Sequence, residues 1–289
     1  MNLKEVIALI TLLDDPDDTI YNQVKERFIM LGPQAIPHLE TAWENSFDAV
    51  MQKRIETIIR NINFEALQKA LKHWAEHEQE DLFKGVCMIA RYQYPDLDEL
   101  KLKKQIQQLK QDVWLEIHDD LTALEKIKII NHILFEVHQF GGNITNYHAP
   151  QNSFLNIVLE TKKGNPVMLS VVYALVCKEL NIPVFGVNLP QHFVLAYVND
   201  YANLYDTNHK TLSDNILFYV NPFSKGLIFQ QKDIDSFLKQ LNVEPENKYY
   251  LPCSNLDILK RILHNLVYSF EKLGYGDKVD ELRSLEKGL

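Results

Sequence analysis

The sequence predicts an α+β fold that is predominantly helical, with a small antiparallel sheet and helical-repeat-like segments flanking it. Apolar residues recur at helical spacing through roughly the first 140 residues and again from Leu256 onward. Between these regions lie three short runs rich in branched and aromatic residues, Val184–Leu189, Phe193–Val198 and Ile216–Val220. Runs of this length and composition are typical of buried strands. We therefore expect a small sheet inside a mostly helical protein.

Length and charge limit the classes of function. At 289 residues with 46% hydrophobic content, the chain can bury a full core and divide into more than one unit. Its formal net charge is -9, whereas contacts to phosphate require clustered Lys and Arg. We therefore expect neither a nucleic acid nor an anionic membrane as a partner. The sequence has no glycine-rich phosphate-binding motif, and we expect no cofactor.

Cysteine usage and hydropathy predict a cytoplasmic protein. The three cysteines, Cys87, Cys177 and Cys253, lie far apart and form no C-x-x-C pattern. This usage fits a reducing compartment without disulfides. The amphipathic N-terminus lacks the basic start, apolar core and cleavage site of a secretory signal. No apolar run approaches the ~20 residues needed to span a bilayer.

Residues 1–62 are predicted to form short helices arranged in pairs. The second helix is expected to begin at about Thr19, as its N-cap, and to end at Leu31, because Gly32 is a natural helix stop with Pro33 beyond it. The paired helices and the sequence LGPQAIPHL resemble a HEAT repeat. An array of such repeats needs about three units to stand alone. We therefore expect this segment to pack on its neighbours.

The rest of the chain divides into three predicted regions. Residues 63–119 are expected to form helices that pack on the core, and residues 120–240 are expected to form the α+β core itself. Within that core, Pro166–Leu180 is predicted to be a helix. Residues 241–289 are predicted to be helical, and their sequence LVYSFEKLGYGDKVDELRSL resembles a tetratricopeptide helix–turn–helix.

Five short motifs occur in series over residues 120–289. In chain order they read NSFL, G-N-P-x-x-L-S, P-x-H-F, N-P-F-x-x-G and ILKRILHNL. Each motif is unspecific alone, but the series resembles the SirB-type transglutaminase-like family. The resemblance implies a transglutaminase-like (papain-like) α+β core, followed by a helical extension.

The resemblance also implies where a catalytic centre would lie. Transglutaminases and related cysteine peptidases place a cysteine at a helix N-terminus and a His and an Asp or Asn on following strands. The helix end favours a thiolate, the imidazole accepts its proton, and the third group orients the imidazole. By alignment, Pro166 takes the cysteine position, His192 the histidine position and Asn221 the acid position. Proline has no nucleophilic atom, so we expect a degenerate triad.

Two other side chains, Ser170 and Cys177, are candidates to replace the nucleophile. Ser170 lies four residues after Pro166 on the same helical face, about 6 Å further along. It would approach His192 only if the helix end is open, and otherwise serves as a small residue that lets helix and sheet pack closely. Cys177 lies about three turns deep in an apolar helix. Burial raises a thiol pKa, so we reject Cys177 as a nucleophile.

Each candidate residue also has a structural interpretation. Asn165 is a favoured N-cap and Pro166 a favoured first helical residue, so the pair is typical of a helix start. Alternatively, the vacated helix end with Asn165 beside it binds an anion or a carbonyl group. His192 fits a hydrogen-bonded strand histidine, and Asn221 before Pro222 fits a turn former.

One competing motif points to a metal. His73, Glu76 and His77 match H-x-x-E-H, an inverted zinc-protease pattern that places two histidines on one helix face. Acidic neighbours indicate a solvated face, and no third ligand is evident in the sequence. We therefore expect no metal site.

The sequence leads to two hypotheses of function. The first is a non-catalytic transglutaminase-like protein that acts as a binding or regulatory module, with a protein or peptide as its partner. It follows from Pro166 at the nucleophile position together with helical-repeat-like flanks. The second is an amide-bond hydrolase or transferase of altered chemistry, in which His192 and Asn221 activate water or Ser170.

Overall fold

The computed structural model describes residues 2–199 and 215–289. Within these ranges the protein is mostly helical around a small antiparallel sheet, so the predicted fold class is confirmed. The helices are α1 (Leu3–Leu12), α2 (Asp18–Leu31), α3 (Ile36–Asn45), α4 (Ala49–His77), α5 (Leu82–Arg91), α6 (Glu99–Trp114), α7 (Ala123–Asn131), α8 (Leu155–Thr161), α9 (Pro166–Glu179), α10 (Gln231–Gln240), α11 (Asn255–Leu273) and α12 (Gly276–Gly288). The strands are β1 (Gly141–Gly142), β2 (Lys163–Gly164), β3 (Val184–Leu189), β4 (His192–Val198), β5 (Ile216–Asn221) and β6 (Leu227–Phe229).

The main sheet has four antiparallel strands in the order β3-β4-β5-β6. A two-residue connection, Pro190 and Gln191, joins β3 to β4, so that Leu189 pairs directly with His192. A second, two-stranded sheet pairs β1 with β2 in parallel immediately before α9. In the part of the chain that the structure describes, no helix is both long and apolar enough to cross a membrane.

Helix α9 lies at the centre of the protein. Eleven of its fourteen residues are buried, and a helix that is apolar all round must be covered all round. It packs against β3 and β4 of the sheet and against α6, α8 and α11. These contacts fix the position of the first turn of α9, and with it the position of Pro166.

Alternate residues of β4 belong to two different hydrophobic cores. The main core, on the side of α9 and α11, takes Phe193, Leu195 and Tyr197. The second core, on the side of α10, takes Val194, Ala196 and Val198. Successive side chains of a strand point to opposite faces of the sheet, and both faces here are covered.

The N-terminal helices form a third core that spans residues 6–62. Helix α4 runs without a break through the predicted boundary between residues 62 and 63, and from Leu67 onward its buried residues join the main core. The predicted N-cap at Thr19 is wrong by two residues. The carboxylate of Asp17 accepts the Thr19 backbone N–H at 2.7 Å, so α2 begins at Asp18.

The strand ends also differ slightly from the predicted ranges. β4 begins at His192 rather than Phe193, and β5 includes Asn221, which was also considered as a turn residue. β6 was not predicted, because its three residues are too short for a periodic pattern. The C-terminal helices α11 and α12 are separated by Gly274 and Tyr275, as expected for a helix–turn–helix.

One asparagine connects α9 to the turn between β5 and β6. Asn131 donates from Nδ2 to the Gly226 carbonyl at 2.8 Å and accepts from the Tyr173 hydroxyl at 3.0 Å. Gly226 has a φ of +74°, and a Cβ there would lie 2.1 Å from Asn131 Oδ1. These two constraints account for the glycine in the N-P-F-x-x-G motif.

We expect Gly226→Ala to lower the free energy of unfolding by more than about 2 kcal/mol. A side chain at positive φ costs roughly 1–2 kcal/mol, and displacing Asn131 from its partners adds roughly 1–3 kcal/mol. Gly274→Ala is the matched control, because Gly274 has a φ of +78° but open space where its Cβ would be. Urea unfolding of both variants measures the difference, and equal losses would contradict the role of Asn131.

Candidate functional site

The structure brings two of the predicted site residues together. Asn221 Nδ2 lies 2.9 Å from His192 Nε2, across the β4–β5 pair. Asn221 is buried, and its Oδ1 accepts the backbone N–H of Ser224 at 3.2 Å. The pair therefore joins the start of β4 to the end of β5.

The bond to Ser224 fixes which way the Asn221 amide faces. A backbone N–H can only donate, so Oδ1 faces Ser224 and the NH₂ group faces His192. Nε2 of His192 must then accept, which leaves the ring proton on Nδ1. In a catalytic triad the third residue accepts a proton from the imidazole and stabilises its charged form. Asn221 does the opposite, because it donates to the imidazole.

His192 faces away from α9, although the predicted triad would require it to approach the start of that helix. Its pairing partner Leu189 belongs to the second core, on the side of α10. The His192 ring lies 6.1 Å from the ring of Phe237 in α10, measured between centroids. α9 packs on the other face of the sheet, with Phe193. His192 therefore lies on the face of the sheet opposite to α9, because adjacent strand residues point to opposite faces.

Burial lowers the pKa of His192 below its usual 6.5, and the positive charge of Arg261 lowers it further. The folded protein thus holds this imidazole neutral. The unfolded chain takes up the proton first as the pH falls below about 6.5. His192 therefore stabilises the fold above that pH, and this contribution is lost as the pH falls through the lower pKa of the folded state.

The start of α9 is a capped helix end. Asn165 Oδ1 accepts the Met168 N–H at 2.9 Å, and Asn165 Nδ2 donates to the Ser153 hydroxyl at 2.8 Å. Asn165 and Pro166 are both buried. The structural interpretation of Asn165 as N-cap and Pro166 as first helical residue is confirmed. Most of the hydrogen-bonding capacity of the Asn165 side chain is used within the protein.

Ser170 and Cys177 are both sealed inside the protein. Ser170 is 0% exposed, and its hydroxyl has no hydrogen-bond partner in the described parts of the chain, so it makes no bond to His192. Other helical hydroxyls, such as Ser269, donate to the carbonyl four residues earlier. Cys177 is also fully buried, and burial raises the pKa of its thiol.

A cleft of about 510 Å³ opens beside the start of α9. It lies between that helix, the β3–β4 connection and one face of α11, and we call it the α9–α11 cleft. Its lining residues are Tyr147, His148, Asn165, Pro166, Val167, Gln191, Phe193, Arg261, His264, Asn265, Tyr268 and Ser269. His192 is not among them.

Sequence reasoning missed the α11 wall of this cleft. Arg261, His264, Asn265 and Tyr268 follow helical spacing, and they form a polar stripe beside the apolar stripe of the same helix. The spacing is present in the sequence, but that this face of α11 borders a cleft depends on how α11 packs beside α9 and the β3–β4 connection.

The histidines of the H-x-x-E-H pattern lie near the end of α4. The rings of His73 and His77 are 4.8 Å apart, measured between centroids, and His77 lies 3.7 Å from the Glu76 carboxylate. Across residues 2–199 and 215–289, no group of three or more potential ligands is arranged to hold a metal ion.

We expect Asn221→Asp to raise the pKa of His192 relative to the native protein. A carboxylate at this position would still accept the Ser224 N–H and would also accept from a protonated Nε2, which favours the charged imidazole. An NMR titration of the His192 ring carbon-bound protons measures the change. The ring signals of His264, which is exposed in the cleft, serve as the internal reference. An unchanged His192 pKa would contradict the assigned orientation of Asn221.

Comparisons with known proteins agree with this fold. The family model of the transglutaminase-like superfamily matches residues 100–264. A UPF0162 protein from Xylella fastidiosa (strain Temecula1 / ATCC 700964) is 33% identical over 197 residues, which cover 66% of this chain and 65% of the relative. A UPF0162 protein from Xylella fastidiosa (strain 9a5c) is 29% identical with the same coverage. F-box only protein 21 from Mus musculus is 24% identical over 154 residues, 53% of this chain and 22% of that protein.

The chain thus spans 65% of the length of these bacterial relatives. No solved structure matches it at a significant level. The matched family region covers more than half of the chain and contains the start of α9, β4 and β5. This chain therefore belongs to the transglutaminase-like superfamily.

Proposed function

We propose that this chain is a non-catalytic transglutaminase-like protein of the SirB type, which acts as a binding or regulatory module for a protein or peptide. A cytoplasmic location is part of the proposal. It is supported by Cys87, Cys177 and Cys253, which are all free thiols. Binding of nucleic acids or membranes is not part of the proposal, in keeping with the net charge of -9.

The observation that carries the proposal is the separation of the predicted catalytic parts by the sheet. Pro166 lines the α9–α11 cleft, whereas His192 packs against Phe237 on the opposite face. Covalent catalysis needs a nucleophile and a base within hydrogen-bond reach of each other. Pro166 supplies no nucleophile, and the imidazole is neutral, accepts from Asn221 and points elsewhere.

The α9–α11 cleft and the helix pairs at both ends of the chain favour a binding function. The cleft beside α9 is large enough for several side chains of a peptide, and its walls combine aromatic and polar groups. Its α11 wall belongs to the C-terminal helix–turn–helix, and α1 to α4 pack as helix pairs at the other end of the chain. Stacked helix pairs of this kind commonly present surfaces to partner proteins.

The alternative is an amide-bond hydrolase or transferase in which His192 and Asn221 activate water or Ser170. The geometry favours it less, because the buried Ser170 hydroxyl makes no hydrogen bond and β4 turns His192 toward α10. Water activated by His192 would have to act on the α10 face of the sheet, away from the α9–α11 cleft.

We expect no amide hydrolysis and no transfer of a peptide glutamine to an amine above the buffer rate. The native protein, His192→Ala and Ser170→Ala should be equally inactive, because none of them assembles a nucleophile with a base. Ser269→Ala is the matched serine control. Product formation is followed by mass spectrometry on a mixed peptide substrate pool.

Turnover by the native protein that disappears in His192→Ala would overturn the proposal. Turnover that also disappears in Ser170→Ala but survives in Ser269→Ala would assign the nucleophile to Ser170. Circular dichroism of each variant separates loss of activity from loss of fold.

A further inference from the structure

Arg261 is a half-buried cation that has no counter-ion among the residues that the structure describes. In the described ranges no carboxylate lies within ion-pair distance of its guanidinium, although other arginines such as Arg60 and Arg283 pair with Glu281 and Glu271. Burial lowers the pKa of Arg261, and Tyr147 and Cys253 oppose this effect only in part. Arginine remains charged at any physiological pH, so the cleft keeps an unpaired positive charge.

The protein holds Arg261 in place by one of its two terminal nitrogens only. Nη1 donates to Asn188 Oδ1 at 2.7 Å and to the Leu189 carbonyl at 3.1 Å. These two bonds use the two hydrogens of Nη1. The Nε and Nη2 donors have no acceptor among the described residues. Together they form the planar edge of the guanidinium that binds a carboxylate through two parallel hydrogen bonds.

The rest of the cleft is also suited to a negative group. The chain has 39 acidic and 30 basic residues, yet none of the cleft-lining residues within 2–199 and 215–289 is acidic. They include one arginine and two histidines, His148 and His264. A positive cleft in a negatively charged protein attracts acidic ligands selectively.

Apolar and aromatic groups surround this charge. Pro166, Val167 and Phe193 line the cleft on the side of α9 and the sheet. On the other side, the Tyr268 ring lies 5.2 Å from the ring of His148, measured between centroids. Tyr147 and Tyr268 are exposed and offer surface to neighbouring side chains, so the cleft fits a carboxylate carried on a peptide rather than a small free anion.

We propose that the α9–α11 cleft binds a peptide through a carboxylate held by the Nε–Nη2 edge of Arg261. This inference rests on the proposed binding function and specifies its ligand as a peptide carboxylate. The carboxylate comes from a Glu or Asp side chain or from a chain terminus. Tyr147 and Tyr268, which are exposed in the cleft, contact the residues on either side of it.

Three synthetic peptides test the inference on the full chain. The first is acetyl-Ala-Phe-Glu-Phe-Ala-amide, the second replaces its Glu by Gln, and the third keeps the Gln but ends in a free carboxylate. Calorimetry measures affinity, and ¹⁵N NMR follows the side-chain Nε–H of Arg261. We expect the Glu peptide to bind about tenfold more tightly than the Gln amide. A hydrogen-bonded pair of opposite charges strengthens binding by about a factor of ten or more.

The free-terminus peptide identifies the source of the carboxylate. If it binds more tightly than the Gln amide and the Glu amide does not, the ligand is a chain terminus; if the Glu amide binds more tightly than the Gln amide, a side chain suffices. Equal affinity of the Glu and Gln amides without binding of the free terminus would overturn the inference. Absence of binding by all three peptides, or signal changes confined to residues outside the cleft, would overturn it as well.

Two pairs of variants locate the site. Arg261→Lys keeps the charge but loses the planar edge, and should weaken the Glu peptide about tenfold; Arg283→Lys, at an exposed ion pair outside the cleft, should not. Tyr268→Glu places a negative charge at the exposed mouth of the cleft and should also weaken binding. Tyr275→Glu is its exposed control outside the cleft. Unweakened binding in both Arg261→Lys and Tyr268→Glu would reject the site.

Failure of this inference can be distinguished from failure of the proposed function. Peptides that bind without regard to charge leave a non-catalytic binding module whose ligand is not a carboxylate. Turnover that depends on His192 overturns the proposed function, whether or not the Arg261 cleft binds peptides.

Discussion

The position of β4 between two hydrophobic cores fixes the face of the sheet on which each of its side chains lies. Each residue of the strand is assigned to one face, because Phe193, Leu195 and Tyr197 fill the main core and the residues between them fill the second core. A shift of one residue in the pairing of β4 with its neighbours would turn His192 toward α9. It would also move the side chains of β4 that fill each core to the opposite face of the sheet. The fold therefore holds His192 on the α10 face, where Asn221 donates to its ring.

The same constraint acts on α9. Because the sheet and three helices cover it, Ser170 and Cys177 are buried, and the first turn of α9 is the part that borders the α9–α11 cleft. That turn begins with an N-cap and a proline, which start a helix well and carry out no covalent chemistry. The described groups at the cleft include Arg261, two histidines and two tyrosines, which suit the binding role proposed above.

Local patterns predicted much of the fold. Both predicted bounds of the strand Val184–Leu189 agree with the structure, and the predicted end of α9 differs by one residue. These predictions rest on local signals, namely prolines and glycines at the ends of elements and runs of branched apolar residues. The alignment identified His192 and Asn221 as neighbours, and they are hydrogen-bonded. It could not tell which face of the sheet they share, because face depends on register with β3 and β5 rather than on motif. Arg261 was missed because its role depends on an absent counter-ion, which only tertiary packing reveals.

The central claim is that the sheet separates the helix tip from His192, and restoring a thiol at the tip tests it most directly. The rate at which iodoacetamide alkylates the introduced thiol of Pro166→Cys is measured against pH, once in the otherwise native protein and once together with His192→Ala. Mass spectrometry identifies the alkylated site. The account predicts the same pH dependence in both backgrounds and no amide hydrolysis in either, because the imidazole cannot reach the introduced thiol. A thiol pKa that rises by a unit or more on removal of His192, together with loss of a measurable hydrolysis, would contradict it.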